Sequence, residues 1–581
     1  MTTILGIMDS HLGSACIFKD GVIEAAIAEE RLNRIKGYSL FPEKAIKKVM
    51  EITGTKGEDI DLVAISNFTF GADVLKLQKK EQGFARNLVA NLSRFMPASA
   101  LDKGFLRQIY IKVTYKMRKS KLFRERARYF QSLDISLDKI RFYEHHDCHA
   151  AAAYYMRNWR DNKKTLVFTA DGEGDGLCAS IWVCEKDRME KKIPISVMHS
   201  LGGMYTRFTK FLGMKPWEHE YKVMGLAPNS NKKRGEDTYQ IVKKFMHVDK
   251  LKFHNDTNRV GSAFSSYLFK KLKYRQFDNV AYAIQKLQDD IFTKWIRNGI
   301  NHFGIRNIAL AGGSFLNVKT NKLIAEMDCV DNIFIFPPAG DDSCSIGAAI
   351  LGYLDICEMD GKKPDIKPLM QLYFGESFDD KIQNFVRKIN KRKYNIKRYS
   401  DVDSVVGELL AKNEIAARCS GRMEYGPRAL GNRSILANPS DIDSIERINT
   451  IIKYRDFWMP FAPSMLDERA KDYIINPKNL ASHYMVMAFD AKEENRKKII
   501  ATVHQADKTT RPQILIKDWN EDYYRLIKSF ESKTGIGAVL NTSFNLHGEP
   551  VVCSPQDAMH TLENSALKHL ILGNYLVSKK S

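Results

Sequence analysis

The run Glu144-His145-His146-Asp147-Cys148-His149 sets three imidazoles, two carboxylates and a thiol directly before Ala150-Ala151-Ala152-Ala153. Alanine-rich sequence predicts a helix. On a helix His145 and His149 stand at i and i+4, with Cβ atoms about 6 Å apart on one face, a separation that one metal ion can bridge. His146 points elsewhere. For an isolated H-x-x-x-H the plain alternative is a pair of helix-terminus histidines bonded to backbone. Two further carboxylate clusters lie in glycine turns: Asp171 in TADGEGDG, and the neighbours Asp341 and Asp342 in PPAGDDS. Two imidazoles plus carboxylate oxygens, with positions left open, suit Fe(II), Mn(II) or Zn(II), whose Lewis acidity polarises a carbonyl or binds a phosphate. A lone Asp in a glycine turn is ordinarily a turn-former. Spacing does not choose between 341 and 342, and convergence of these turns depends on the fold.

Two segments that must position these groups share one grammar: a β-rich run, an Asp-led turn of small residues, and a second β-rich run. The first is TILGIMDSHLGSACIF with Asp9 leading the turn; the second is TLVFTADGEGDGLCASIWV with Asp171 leading it. Glycine in such turns lets backbone N–H groups come close to a phosphate. Helical patterns follow in FPEKAIKKVMEI and FDNVAYAIQKLQDDIFTKWIRNGI, then a strand and glycine turn in NIALAGGSFLNVKTN, and a strand, loop and helix in NIFIFPPAGDDSCSIGAAILGYL. This alternation predicts an α/β chain whose N-terminal domain, 1–360, is duplicated. Charge and two prolines interrupt the pattern in CEMDGKKPDIKPLMQ, 357–371, the expected boundary before a second α/β domain over 371–581.

At 581 residues the chain exceeds what one core supports. Its composition, 44% hydrophobic and 27% charged, is that of a globular protein. It holds no apolar run of about 18 residues, so no membrane span is expected. The first residues, MTTILGIMDSHLG, have no export pattern, which gives a cytoplasmic expectation. Nine cysteines without paired spacing read as reduced packing residues. The net charge of +21 points to anionic partners: nucleotides, phosphates, nucleic acid or a membrane surface. Residues 76–128 hold 15 Lys and Arg against 3 Asp and Glu, with apolar residues at roughly helical spacing. They read as a basic helical insertion, about 71–135, with a solvated face or a surface for an anionic acceptor, nucleic acid or lipid.

In order along nearly the whole chain, GIMDSHLGSA, EERLNRIKG, EHHDCHAAAA, FTADGEGDG, EYKVMGLAP, LAGGSFLN, PPAGDDS, GRMEYGPRALGNRSIL, KYRDFWMPFAP, TRPQI and LNTSFNLHGEPVV resemble the O-carbamoyltransferases of antibiotic, toxin and nodulation-factor biosynthesis. That resemblance implies an actin/hexokinase-type (ASKHA) N-terminal lobe, akin to the tRNA threonylcarbamoyl-transfer protein, and a YrdC-like C-terminal lobe. The C-terminal lobe would make carbamoyl-adenylate from carbamoyl phosphate and ATP, with Mg as the nucleotide's companion ion. The N-terminal lobe would pass the carbamoyl group to a hydroxyl of a small-molecule acceptor, a natural product or sugar, at a metal site of His145, His149, Asp171 and Asp341. Fe(II) is the first expectation there, with Mn(II) or Zn(II) as alternatives.

Transfer to a hydroxyl needs a base, and the imidazole of His11, two residues after Asp9, has a suitable pKa; a histidine structuring a tight turn is the alternative. Lys36, Gly202, Gly312, Gly313 and Asn317 match positions that hold the adenylate, glycines for close approach and lysine for phosphate charge. ATP and carbamoyl phosphate repel unless cations surround them. The matching positions are Arg422, Arg428 and Arg433 around a glycine turn, Lys453 and Arg455 as K-x-R, Arg511, and Ser543 with Asn545 as S-x-N, guanidinium forks being well matched to phosphate oxygens. MDSHLGSA departs from aromatic-rich relatives, and the basic insertion falls where acceptor choice could be set. A homodimer is within expectation, and nucleic acid is not an expected partner. The competing readings are a tRNA-modifying threonylcarbamoyl-transfer enzyme, carbamoyl transfer to a protein cysteine, whose family carries paired C-x-x-C motifs absent here, and a non-enzymatic relative of the same fold.

Overall fold

The computed structural model describes residues 1–69, 104–159 and 163–580. They form two compact units: Met1–Glu29 with Gly37–Leu369, and Glu30–Lys36 with Met370–Ser581.

The first unit holds two five-stranded sheets. In one, β1 (Thr3–Met8), β2 (Ser14–Lys19), β3 (Val22–Ala28), β4 (Leu62–Ser66) and β5 (Ile140–Tyr143) lie in the order β3-β2-β1-β4-β5. β1 is antiparallel to β2, which is antiparallel to β3; β1 is parallel to β4, and β4 to β5. Every residue of β1 is buried, as expected of a strand covered on both faces. The other sheet uses β6 (Thr165–Gly174), β7 (Leu177–Glu185), β8 (Arg188–Ser196) and the strands Asn307–Ala311 and Asn332–Ile335. Its order and its sequence of antiparallel and parallel pairings are the same. The repeated grammar of the sequence is thus a repeated topology.

One expectation is corrected. The turn after β6 is not led by Asp171: the strand runs on through it to Gly174, with a register shift between Ala170 and Gly174. Asp175, in the left-handed conformation at φ 48°, makes the turn instead. Its carboxylate accepts from the backbone N–H groups of Phe68, Thr69 and His145, which a two-residue turn leaves within reach.

Each sheet's last strand leads into a helix that carries site residues. After β5 comes the helix His145–Tyr155, N-capped by Glu144, whose side chain accepts from the Asp147 amide. After Asn332–Ile335 comes the helix Asp342–Met359. They cross closely at Gly347, where a Cβ would lie 1.9 Å from the Cys148 carbonyl oxygen. The four alanines 150–153 are fully buried, and small residues on both helices are what permit that crossing. The later part of the basic stretch forms a 28-residue helix, Gly104–Gln131; residues 70–103 of the expected insertion lie outside the described residues. Its face is not wholly solvated, because Arg118 is 1% exposed and ion-pairs with Asp9. The same guanidinium donates to the carbonyls of Ser66, Asn67 and Thr69.

The second unit is built on an eight-stranded mixed sheet in the order Tyr394–Arg398, Tyr575–Lys579, His569–Leu572, Ala416–Cys419, Arg433–Ala437, Ala538–Ser543, Ala462–Leu466, Gln513–Leu515. Ala417, Ile435, Leu540 and Leu570 centre its core.

Replacing Gly347 by valine forces a branched side chain against a backbone carbonyl that cannot yield. We expect about 3 kcal/mol of lost stability from such overpacking, read as a lowered thermal midpoint.

Candidate functional site

His145 and His149 project from one face of their helix, with Nε2 atoms 3.0 Å apart. One carboxylate oxygen of Asp171, from β6, lies 3.2 Å from both Nε2 atoms. One oxygen of Asp341, at the start of the helix Asp342–Met359, lies 3.7 Å from both. The structure therefore brings together the four residues expected to hold a metal, and it is Asp341 that faces the imidazoles. Among the described residues, donor atoms of His145, His149, Asp341 and Cys344 lie within 4.8 Å of one another.

The donor chemistry fits a divalent ion. His145 Nδ1 is 2.6 Å from the Asn67 amide oxygen, while that amide's nitrogen donates to Ser10. An amide oxygen only accepts, so Nδ1 carries a proton, and Nε2 is the nitrogen turned toward the carboxylates, the one that would bind an ion once it gives up its own proton. His149 Nδ1 is similarly engaged, 2.7 Å from the Ser343 hydroxyl. Gly174 lies under the His145 ring, where a Cβ would come within 2.0 Å of the ring, so β6 can approach only with glycine there. His146 turns away to Thr169, at 2.8 Å, and burial holds its pKa down to about 3.

Charge in this cluster is tightly shared. Burial opposes ionisation of Asp171, yet the hydrogen bonds and charges of His145 and His149 hold its carboxyl well below the usual range. Asp341 is pushed well above that range by burial and the Asp171 charge. Burial disfavours the His149 imidazolium, but Cys344 and Asp171 bring its pKa to about 9. Burial also disfavours the Cys344 thiolate, and the two imidazoles draw its pKa down to about 6. Protonated imidazoles beside carboxylates occupy the electrostatic place that a cation would take. The sequence reading missed Cys344, which faces these residues only because it lies within the first turn of the helix after Asp341. It also missed Asn67, whose one signal was a polar residue closing the apolar strand LVAIS.

His11 sits on the turn after β1, half-buried, with Nδ1 3.4 Å from the Ser39 hydroxyl and its ring 6.4 Å from that of Trp217. Trp217 covers Gly172, the neighbour of Asp171. A Cβ on Gly340 would be 3.9 Å from Leu12, so the His11 turn also abuts the residue before Asp341. Gly202, Gly312 and Gly313 crowd the Ala170–Asp171 segment, where any Cβ would lie within 3 Å of it. Asn317 is engaged elsewhere: it caps the helix Val318–Glu326 and exchanges hydrogen bonds with Gln285.

In the second unit Lys453 is buried and its ammonium donates to Ser543 and Asn545, at 3.2 Å to the Ser543 hydroxyl and 2.8 Å to the Asn545 amide oxygen. The K-x-R and S-x-N motifs therefore meet. Burial, then the charges of Arg455 and Lys36, hold the Lys453 pKa well below its usual range. Burial, then Arg428 and Arg455, do the same to Arg511. The named charges acting on both groups are of their own sign, a setting that calls for an anion. Lys36 belongs to this cluster and this unit. The arginine trio separates. Arg422 lines an open cleft of about 640 Å³ with Trp519 and Asn520. Arg433 is 1% exposed and donates to the backbone carbonyls of Cys553, Ser420, Gly421, Asn432 and Glu376. Its Nε and Nη1 hydrogens are thereby committed to backbone carbonyls, so Arg433 braces the chain around the glycine turn.

Comparison with known proteins agrees along the chain. Residues 3–350 match the carbamoyltransferase N-terminus and residues 407–579 the carbamoyltransferase C-terminus. A protein of Methanocaldococcus jannaschii is 31% identical, covering 99% of each chain. Nodulation protein NolNO of Sinorhizobium fredii is 28% identical over 98% of this chain and 79% of its own. Among solved structures, full-length HypF in its phosphate- and nucleotide-bound form aligns with 61% of this chain and 47% of its own, at 12% identity and a TM-score of 0.31. The chain belongs to the carbamoyltransferase family. It is an enzyme that transfers a carbamoyl group.

Asn67 sits at φ 73°, so Asn67→Gly keeps the backbone and removes the acceptor on His145 Nδ1. Loss of such a partner typically costs 10–100-fold in metal affinity. Competition against a chromophoric chelator should show a loss of about that size, with Asn67→Asp retaining most of the affinity.

Proposed function

We propose that the second unit forms carbamoyl-adenylate from carbamoyl phosphate and ATP, and that the first unit transfers its carbamoyl group to an alcohol, releasing AMP. The repeated sheet order of the first unit supports an actin/hexokinase-type reading of it, and the meeting of K-x-R with S-x-N, a motif pair that also marks YrdC proteins, supports a YrdC-like reading of the second. The observation that carries the division of labour is the chemistry of the two clusters. One gathers cations of like sign, as phosphates demand; the other gathers imidazoles and carboxylates, as a divalent ion demands.

Adenylation is a problem of charge. Lys453 and Arg511, with Lys36, Arg428 and Arg455 beside them, offset the repulsion between a triphosphate and a second phosphate. Ser543 and Asn545 orient the Lys453 ammonium through the hydrogen bonds already described. Water releases phosphate from carbamoyl phosphate, the freed carbamate oxygen attacks the α-phosphorus of ATP with loss of pyrophosphate, and the resulting mixed anhydride has in AMP a leaving group far better than an alkoxide.

Transfer is a problem of electrophilicity, since the carbamate nitrogen donates into its own carbonyl. His145, His149, Asp171 and Asp341 would hold a divalent ion, Fe(II) first and Mn(II) or Zn(II) next, whose Lewis acidity typically contributes several kcal/mol of charge stabilisation. Asn67 and Ser343 keep the Nε2 atoms aimed inward. His11 takes the proton from the acceptor hydroxyl, its imidazole oriented by Ser39. The acceptor is a polyhydroxylated small molecule, a sugar or a natural product.

His149→Ala should lower carbamoyl transfer at least 100-fold, in line with loss of electrostatic catalysis, while pyrophosphate release from ATP and carbamoyl phosphate persists. Lys453→Ala should abolish pyrophosphate release as well. Product is read as a gain of about 43 mass units on a panel of polyols, the carbamoyl group in place of hydrogen. Equal loss of both half-reactions in a folded His149→Ala chain would sink the assignment.

A further inference from the structure

The segment 260–277 contains Lys270, Lys271, Lys273 and Arg275 and no acidic residue. The helix Gly261–Leu272 ends here and the helix Phe277–Phe303 begins, joined by residues 273–276. Phe264, Leu268 and Leu272 face inward and are at most 2% exposed. The opposite side is unusual: Phe269 is 59%, Tyr274 87% and Phe277 58% exposed. Single exposed aromatics are commonplace. Three within nine residues, among four cations, are not.

We propose that this corner docks on an anionic membrane surface. The joint of two helices presents the rings outward, which suits insertion at the headgroup level, where aromatic side chains concentrate. A phenylalanine ring offers neither donor nor acceptor and gains most from leaving water. The lysines can lay their stems along the rings with their ammonium groups outward; Lys273 already stands 4.6 Å over the Tyr274 ring. Among the described residues no helix is long and apolar enough to cross a membrane, so the contact is peripheral. Each basic residue close to an anionic leaflet strengthens binding roughly fivefold. The inference stands apart from the proposed half-reactions and does not rest on them.

The test is co-sedimentation of the full chain with vesicles of phosphatidylcholine alone and of phosphatidylcholine mixed with phosphatidylglycerol. Binding to the mixed vesicles only, weakened by salt, is expected. Lys270→Gln/Lys271→Gln/Lys273→Gln should lower the partition constant on the order of a hundredfold. Phe269→Ser/Phe277→Ser should lower it while leaving the salt dependence intact, an effect that a purely electrostatic contact would not show. Both variants should melt with the parent chain. Failure to bind mixed vesicles, or equal binding by the parent and both variants, overturns the proposal. So does binding to single-stranded RNA, lost in the lysine variant, without binding to vesicles, which would assign the corner to nucleic acid.

Discussion

The crossing of the helices His145–Tyr155 and Asp342–Met359 at Gly347 is the contact on which the first unit's chemistry depends. One helix follows the last strand of the first sheet, the other follows the last strand of the second, and Asp171 arrives from the second sheet's first strand. The imidazoles and the two carboxylates thus come from elements that meet only when both sheets are complete. A side chain at 347 would separate the helices and, with them, Asp341 from the imidazoles. Site assembly in this unit therefore requires that both sheets and the two helices after them be in place. Asp175 reinforces the arrangement by gripping amides on both sides of the gap between β4 and the histidine helix.

The second unit uses its buried cations in two different ways. Arg433 is surrounded by carbonyl oxygens and stabilises the glycine-rich turn as a bolt would. Lys453 and Arg511 are held among groups of their own charge, which is unfavourable for folding and useful for binding. Arg433 and Arg511, buried arginines of two different motifs, thus divide between these roles, one facing carbonyl oxygens and the other facing cations.

Much of this was legible in the sequence, and for identifiable reasons. Alanine-rich composition announced the helix that carries His145 and His149, helical patterning announced the 277–303 stretch, and the repeated strand-turn-strand runs announced two sheets of one kind. The spacing of His145 and His149 put their rings on one face because a helix allows nothing else. Three things were hidden. Asp171 is a strand residue in a bulged register rather than a turn-former, which a run of glycines disguises. The choice of Asp341 over Asp342 depends on where a helix starts, a matter of one residue. Ser343 and Cys344 join the site by tertiary contact, which no local pattern marks, and Asn67 had only its place at the end of an apolar strand to signal it. In the second unit motif order told which cations belonged together, but not that Arg433 would be turned inward to bond backbone.

The like-signed neighbours of Lys453 and Arg511 carry a thermodynamic corollary. Unfolding disperses those charges, so an anion that settles among them in the native state raises the resistance of that unit to heat. At a hundred times its dissociation constant such an anion adds about 2.7 kcal/mol. Choice of buffer thereby becomes a determinant of shelf life: phosphate or pyrophosphate should preserve the protein in storage better than zwitterionic buffers of the same pH and ionic strength.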